Sequence, residues 1–205
     1  MLAAELGADA IGLLVGQKHN SPDFVSATVA RDIFRALPPS VDAVLVTHVE
    51  DVDELERLLQ ESEITTIQLH SEIAPSSVER LRHRLPNVKI FKSVSVISAD
   101  SVAYPEAFKK LVDGFVLDSV NLATNQVGGT GKTHDWSVSR EIVMRYSEVP
   151  IILAGGLNSE NVRSAIERVR PFGVDVNSGT NAADGFKDPR KMEAFIIQAK
   201  HEQSS

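Results

Sequence analysis

Short apolar runs alternate with longer amphipathic stretches from one end of this chain to the other, with no hairpin signal between them. Antiparallel neighbours are joined by tight turns, whereas parallel strands need a long crossover, usually a helix. The alternation therefore restricts the chain to an α/β fold, a parallel sheet covered by helices. The runs are short and continuous, as suits strands buried on both faces.

The first run, 10–15, reads as a strand. A helix over 26–37 follows, with Ser26 as N-cap and Val29, Ile33 and Leu37 on one face; Pro38-Pro39 stops it. Strands at 43–46, 65–69 and 88–91 then alternate with helices at 52–60, 76–85 and near 99–111. Strand 114–117, a Gly-rich loop, helix 138–146, strand 151–153, helix 161–168, strand 173–176 and helix 189–200 complete the pattern. About seven βα units result, one short of the eight in a closed (β/α) barrel; an open doubly wound sheet is the competing arrangement. Composition does not shift midway, and 205 residues suit one domain, 1–205.

Composition removes several function classes. Hydrophobic residues make up 42% and charged residues 24%, a globular balance that argues against disorder. No apolar run approaches the roughly 20 residues of a membrane span, and Met1 to Leu6 is too short and acidic for a signal peptide. A cytoplasmic protein without a membrane partner is the expectation. A net charge of −7 with no basic stripe argues against nucleic acid. The chain has no cysteine, which removes disulfides, thiolate metal sites and cysteine nucleophiles; its six histidines are scattered, so no metal is expected.

Ligands of parallel α/β proteins sit at the C-terminal ends of the strands. The residues there are polar and Gly-rich: Gly16 to His19, Thr47-His48, His70-Ser71, Lys92-Ser93, Asp118-Ser119, Ala154 to Asn158 and Asn177 to Gly179. Gly155-Gly156 and Ser178-Gly179 follow consecutive strands. Glycine lets backbone N–H groups come close to an anion, and loops after the last two barrel strands often bind phosphate. An ordinary strand-to-helix turn is the plainer account of either pair alone. Asp118 ends the run Gly-Phe-Val-Leu-Asp, where a carboxylate serves either as general acid or base or as a salt-bridged or capping group. Asp175, between Val174 and Val176, is expected inside the last strand and buried, hence hydrogen-bonded; a structural network and substrate positioning compete for it. His70 reads more readily as a satisfied rim histidine than a catalyst. Lys92 is either an anion-attracting or a solvated lysine, and Trp136 is expected in the core.

The stretch Gly128-Gly129-Thr130-Gly131-Lys132-Thr133 imitates a nucleotide-binding loop, but the spacing fails: the position that requires the first glycine holds Gln126. A mobile active-site loop accounts for it better.

Several segments resemble the phosphoribosylanthranilate isomerase family. They are Gly7-Ala8-Asp9-Ala10-Ile11-Gly12, Ile67-Gln68-Leu69-His70, Phe115-Val116-Leu117-Asp118, the run from Gly128 to Trp136, Leu153 to Val162, and Arg170 to Gly179. They occur in family order and span nearly the whole chain. The resemblance implies a TIM-type (β/α) barrel. It also implies the Amadori rearrangement of N-(5-phosphoribosyl)anthranilate in tryptophan biosynthesis, an aldose-ketose isomerisation that needs no cofactor. It places the general acid at Asp118, protonating the furanose ring oxygen, and the phosphate site at Gly155, Gly156, Ser178 and Gly179, with Asp175 beside them.

The sequence departs from the family pattern in three places. The family opens with a strand ending in Lys-Ile-Cys-Gly, whose Cys is the general base; Met1 to Leu6 reads instead as the end of the first helix. An incomplete barrel lacking its first strand and that base is therefore expected. The family's carboxylate-binding Arg falls nearest Asp23, with Lys18 and His19 as candidate replacements. The family's Ser-Ser-Gly is Asn177-Ser178-Gly179 here. Loss of a base costs about 10²–10⁴ in rate unless another group replaces it. The alternative to the isomerase is a divergent or inactive paralogue that binds another phosphorylated sugar. An incomplete barrel also leaves open sheet edges, which a homodimer or a neighbouring segment would cover.

Overall fold

The computed structural model describes residues 1–18, 23–121, 126–127 and 133–200. The chain forms two compact units: residues 1–93 with 107–113, and residues 94–106 with everything from Gly114 onward. A short helix, α1 (Leu2–Glu5), precedes the first described strand. No described helix is long and apolar enough to cross a membrane.

In the first unit, β1 (Ala10–Leu14), β2 (Asp42–Thr47), β3 (Thr66–Leu69) and the start of β4 (Lys89–Val96) pair in parallel. The connecting helices are α2 (Ala27–Ala36), α3 (Val52–Ser62) and α4 (Pro75–Arg84). Local chemistry sets their starts. Ser26 accepts a hydrogen bond from the Val29 amide at 3.2 Å, and Asp51 accepts one from Glu54 at 3.0 Å. Such caps satisfy amides that have no partner within the helix. Leu45, Leu55, Ile67, Leu69, Leu81 and Ile90 form a fully buried core. The segment 107–113 joins this unit through Asp113, whose amide donates to the Ile90 carbonyl and whose carboxylate accepts from the Ile90 amide, both at 2.7 Å.

In the second unit, β5 (Gly114–Asn121), β7 (Ile151–Leu153) and β8 (Gly173–Val174) pair in parallel. The two-residue strand β6 (Gln126–Val127) pairs antiparallel with the end of β5. The helices are α5 (Trp136–Arg145), α6 (Val162–Val169) and α7 (Pro189–Lys200), with two 3₁₀ helices over Ala99–Ala107 and Ser178–Thr180. Phe115, Leu117, Ile142, Leu153, Val162 and Ala165 are buried there.

Several expectations need correction. The α-helix expected near 99–111 is a 3₁₀ helix ending at Ala107, with Pro105 inside it; a proline has no N–H to give and crowds the preceding turn of an α-helix. The strand expected at 88–91 runs on to Val96, so Lys92 lies within it and is 1% exposed, which rules out a solvated lysine. The strand expected at 173–176 stops at Val174, and Asp175, expected buried within it, is exposed. Flanking valines imply alternation, but the pairing that would bury them ends two residues sooner. Trp136 is half-buried as the first residue of α5, with the Arg168 guanidinium 5.4 Å from its ring, rather than in the core. Helix α2 buries Ala27 and Ala30, and Val29 is left 44% exposed.

Candidate active site

Asp118 sits within β5, and its side chain is 7% exposed. Burial raises its carboxyl to about 6, against a smaller lowering effect of the Ser119 amide, which donates to Oδ1 at 2.7 Å. A carboxyl at that value exchanges a proton near neutrality, the property a general acid needs.

The turn after β7 closes on this carboxylate. Gly155 and Gly156 adopt φ of +81° and +69°, the left-handed region that side chains avoid. A methyl placed at Gly155 would stand 2.5 Å from the Ser119 nitrogen and 3.0 Å from Asp118 Oδ1. Glycine there makes room for the Asp118–Ser119 hydrogen bond. Asn161 then anchors the turn: its Nδ2 donates to the Gly156 carbonyl at 3.0 Å, and its Oδ1 accepts from the Asn158 amide at 2.9 Å.

The turn after β8 approaches just as closely. A methyl at Gly179 would lie 1.9 Å from the Leu157 carbonyl oxygen. The two glycine turns are thus in backbone contact. Together they line a cleft, open to solvent, bounded by Asp118, Ala154 to Leu157 and Asp175 to Gly179. Six positions singled out from the sequence meet here: Asp118, Gly155, Gly156, Asp175, Ser178 and Gly179. All six belong to the second unit. The glycines carry the physical reason expected of them only in part, since two are required by packing as well.

The remaining candidates lie in the first unit or outside the described residues. Lys18 is exposed and donates to Glu50 Oε1 at 2.6 Å. Asp23 is half-buried. His19, the loop 128–132 and His201 lie outside the described residues. His70 belongs to a cluster that its position alone did not reveal: its Nδ1 is 2.8 Å from Ser93 Oγ and 3.2 Å from Gln68 Nε2, and its ring stands 5.2 Å from that of His48, edge to face. The signal was present, because His48 and His70 each follow a strand and parallel neighbours end at similar heights. The His70 amide donates to the Thr47 carbonyl at 2.8 Å. Lys92 donates to the Ser93 carbonyl at 2.6 Å and lies 5.6 Å from the Phe108 ring centre; burial lowers its ammonium to about 8, opposed by Glu72 and Glu50.

Fold and cleft define a parallel α/β protein that sets a buried carboxyl beside two glycine turns at the C-terminal ends of its strands. Its fold class is the TIM-type (β/α) barrel, with seven parallel-paired strands among the described residues. The chain belongs to the N-(5'-phosphoribosyl)anthranilate isomerase family, whose sequence model matches residues 3–198. An isomerase of this name from Methanosarcina mazei is 46% identical over 98% of this chain and 89% of its own length. The solved phosphoribosyl anthranilate isomerase of Thermotoga maritima superposes with a TM-score of 0.82 at 33% identity, over 97% of this chain and 91% of that one. Another isomerase of the family, solved in complex with reduced 1-(o-carboxyphenylamino)-1-deoxyribulose 5-phosphate, is 31% identical with a TM-score of 0.77 over 97% and 91% of the two chains.

Proposed function

We propose that this chain catalyses the Amadori rearrangement of N-(5-phosphoribosyl)anthranilate, in tryptophan biosynthesis, within the cleft of the second unit. Asp118 is the general acid: protonated, it delivers its proton to the furanose ring oxygen, and the ring opens to an iminium. In place of the family's cysteine base, solvent in the open cleft takes the proton from the adjacent carbon, and the resulting enolamine takes a proton at the former aldehyde carbon and loses its hydroxyl proton to give the ketose. Gly155, Gly156, Ser178 and Gly179 hold the 5-phosphate, and Asp175 lies at the edge of the same cleft, where it can position the sugar. The burial of Asp118 beside both turns is the observation that carries this reading. The shared activity of the relatives favours it over a paralogue that only binds a phosphorylated sugar.

The test is fluorescence-monitored consumption of freshly generated phosphoribosylanthranilate, with Asp118→Asn as the comparison. Asp118→Asn is expected to lose at least 10²-fold in turnover. Equal rates for the two proteins would remove Asp118 from the mechanism. No consumption by either would remove the isomerase reading.

A further inference from the structure

The chain beyond the second glycine turn folds back over it, and the Lys187 ammonium bridges the two residues that flank the turn. Lys187 Nζ donates to the Asn177 carbonyl at 2.8 Å, to Asn177 Oδ1, and to Asn181 Oδ1 at 2.7 Å. An ammonium carries three N–H donors, and these acceptors come from the two residues that flank the turn 178–180. The backbone reinforces the closure. Asn181 and Lys187 form an antiparallel bridge, the Asp188 amide donates to the Thr180 carbonyl at 2.8 Å, and the Ala182 amide donates to the Phe186 carbonyl at 2.7 Å. Lys191 Nζ donates to the Asn181 carbonyl at 2.7 Å.

We propose that Lys187 is a positioning residue for the phosphate turn. It ties Asn177 to Asn181 and so holds Ser178 and Gly179 at the wall of the cleft with their backbone already ordered. A turn ordered before binding loses less entropy when phosphate arrives. Geometry as well as charge decides the residue type: three acceptors converge on one nitrogen, which suits an ammonium and not the flat fork of a guanidinium. The proposal rests on the reading of this turn as the phosphate site.

The experiment pairs inorganic phosphate titration, followed by ³¹P NMR, with steady-state kinetics and melting curves for the wild type, Lys187→Met and Lys187→Arg. In Lys187→Met, phosphate Kd and the KM for phosphoribosylanthranilate are expected to rise roughly tenfold, the scale of one charge-assisted hydrogen bond. kcat should stay within about twofold, because this interaction is made equally before and during the reaction. Lys187→Arg should follow the Met variant. Unchanged Kd and KM in Lys187→Met would overturn the proposal, and so would wild-type behaviour of Lys187→Arg, which would reduce the lysine to a simple charge. Phosphate binding by the wild type without turnover would sink the isomerase reading and leave the Kd comparison to judge Lys187. A wild type that binds no phosphate would sink the turn reading and this proposal together.

Discussion

Asp118 combines a functional requirement with a cost in stability. Its folded carboxyl titrates near 6, above the ordinary 3.8. Between those values the folded protein holds a proton that the unfolded chain has released, so stability falls as pH rises from about 4 to about 6. Above that window the buried carboxylate lowers stability by up to roughly 3 kcal/mol. Asp118→Asn should therefore melt higher than the wild type at pH 8, with little difference at pH 4, while losing turnover; an unchanged difference across pH would contradict this. His134 works in the opposite direction. Burial lowers its ring to about 4, opposed by Asp135, and Nε2 lies 2.6 Å from Ser139 Oγ. Here the unfolded chain takes up the proton first, so stability is lost as pH falls from about 6.5 to about 4, by roughly 1–3 kcal/mol. His134→Gln should flatten that part of a pH–melting curve. Individual site residues were legible in the sequence to different degrees. Asp118 stood out because a charge ends an apolar run. The reason for Gly155 did not, since the Ser119 amide it accommodates lies 36 positions earlier in the chain.

At the scale of elements, apolar runs located strands well and their ends poorly. β4 and β5 both outrun their apolar stretches, carrying Lys92 and Asp118 within paired backbone, whereas β8 stops short of its own. Backbone pairing sets a strand's length, and hydropathy reports only the part that is greasy on both faces. The 3₁₀ helix over Ala99–Ala107 was hidden for a related reason: its buried residues, Val102 and Pro105, stand three apart, a spacing that one face of an α-helix shares. Its attachment is more informative. Tyr146, at the end of α5 and 1% exposed, donates to the Val102 carbonyl at 3.0 Å. Tyr146→Phe should keep the ring packing and leave that carbonyl without its donor. A loss of about 1–2 kcal/mol in denaturant unfolding is expected, and no loss would mean that water replaces the hydroxyl.

For the whole molecule, the parallel α/β class followed from alternation alone, because no other arrangement joins strand to helix so regularly. The choice between barrel and open sheet came from resemblance, since closure depends on strand tilt and stagger that no local pattern records. Ligand coupling is the global test of the cleft. Inorganic phosphate at a hundred times its Kd should stabilise the folded chain by about 2.7 kcal/mol. Gly179→Ala, whose methyl has no room beside the Leu157 carbonyl, should abolish that gain. Nothing in composition marks the passage between the two units, which the chain makes at 93–94, 106–107 and 113–114. On the ribosome this interleaving imposes an order. Translation delivers the opening stretch of the second unit before it delivers the last seven residues of the first. A nascent chain halted at Glu106 still lacks Asp113, whose amide and carboxylate both pair with Ile90. The first unit must therefore wait, incomplete, while synthesis runs through part of its neighbour.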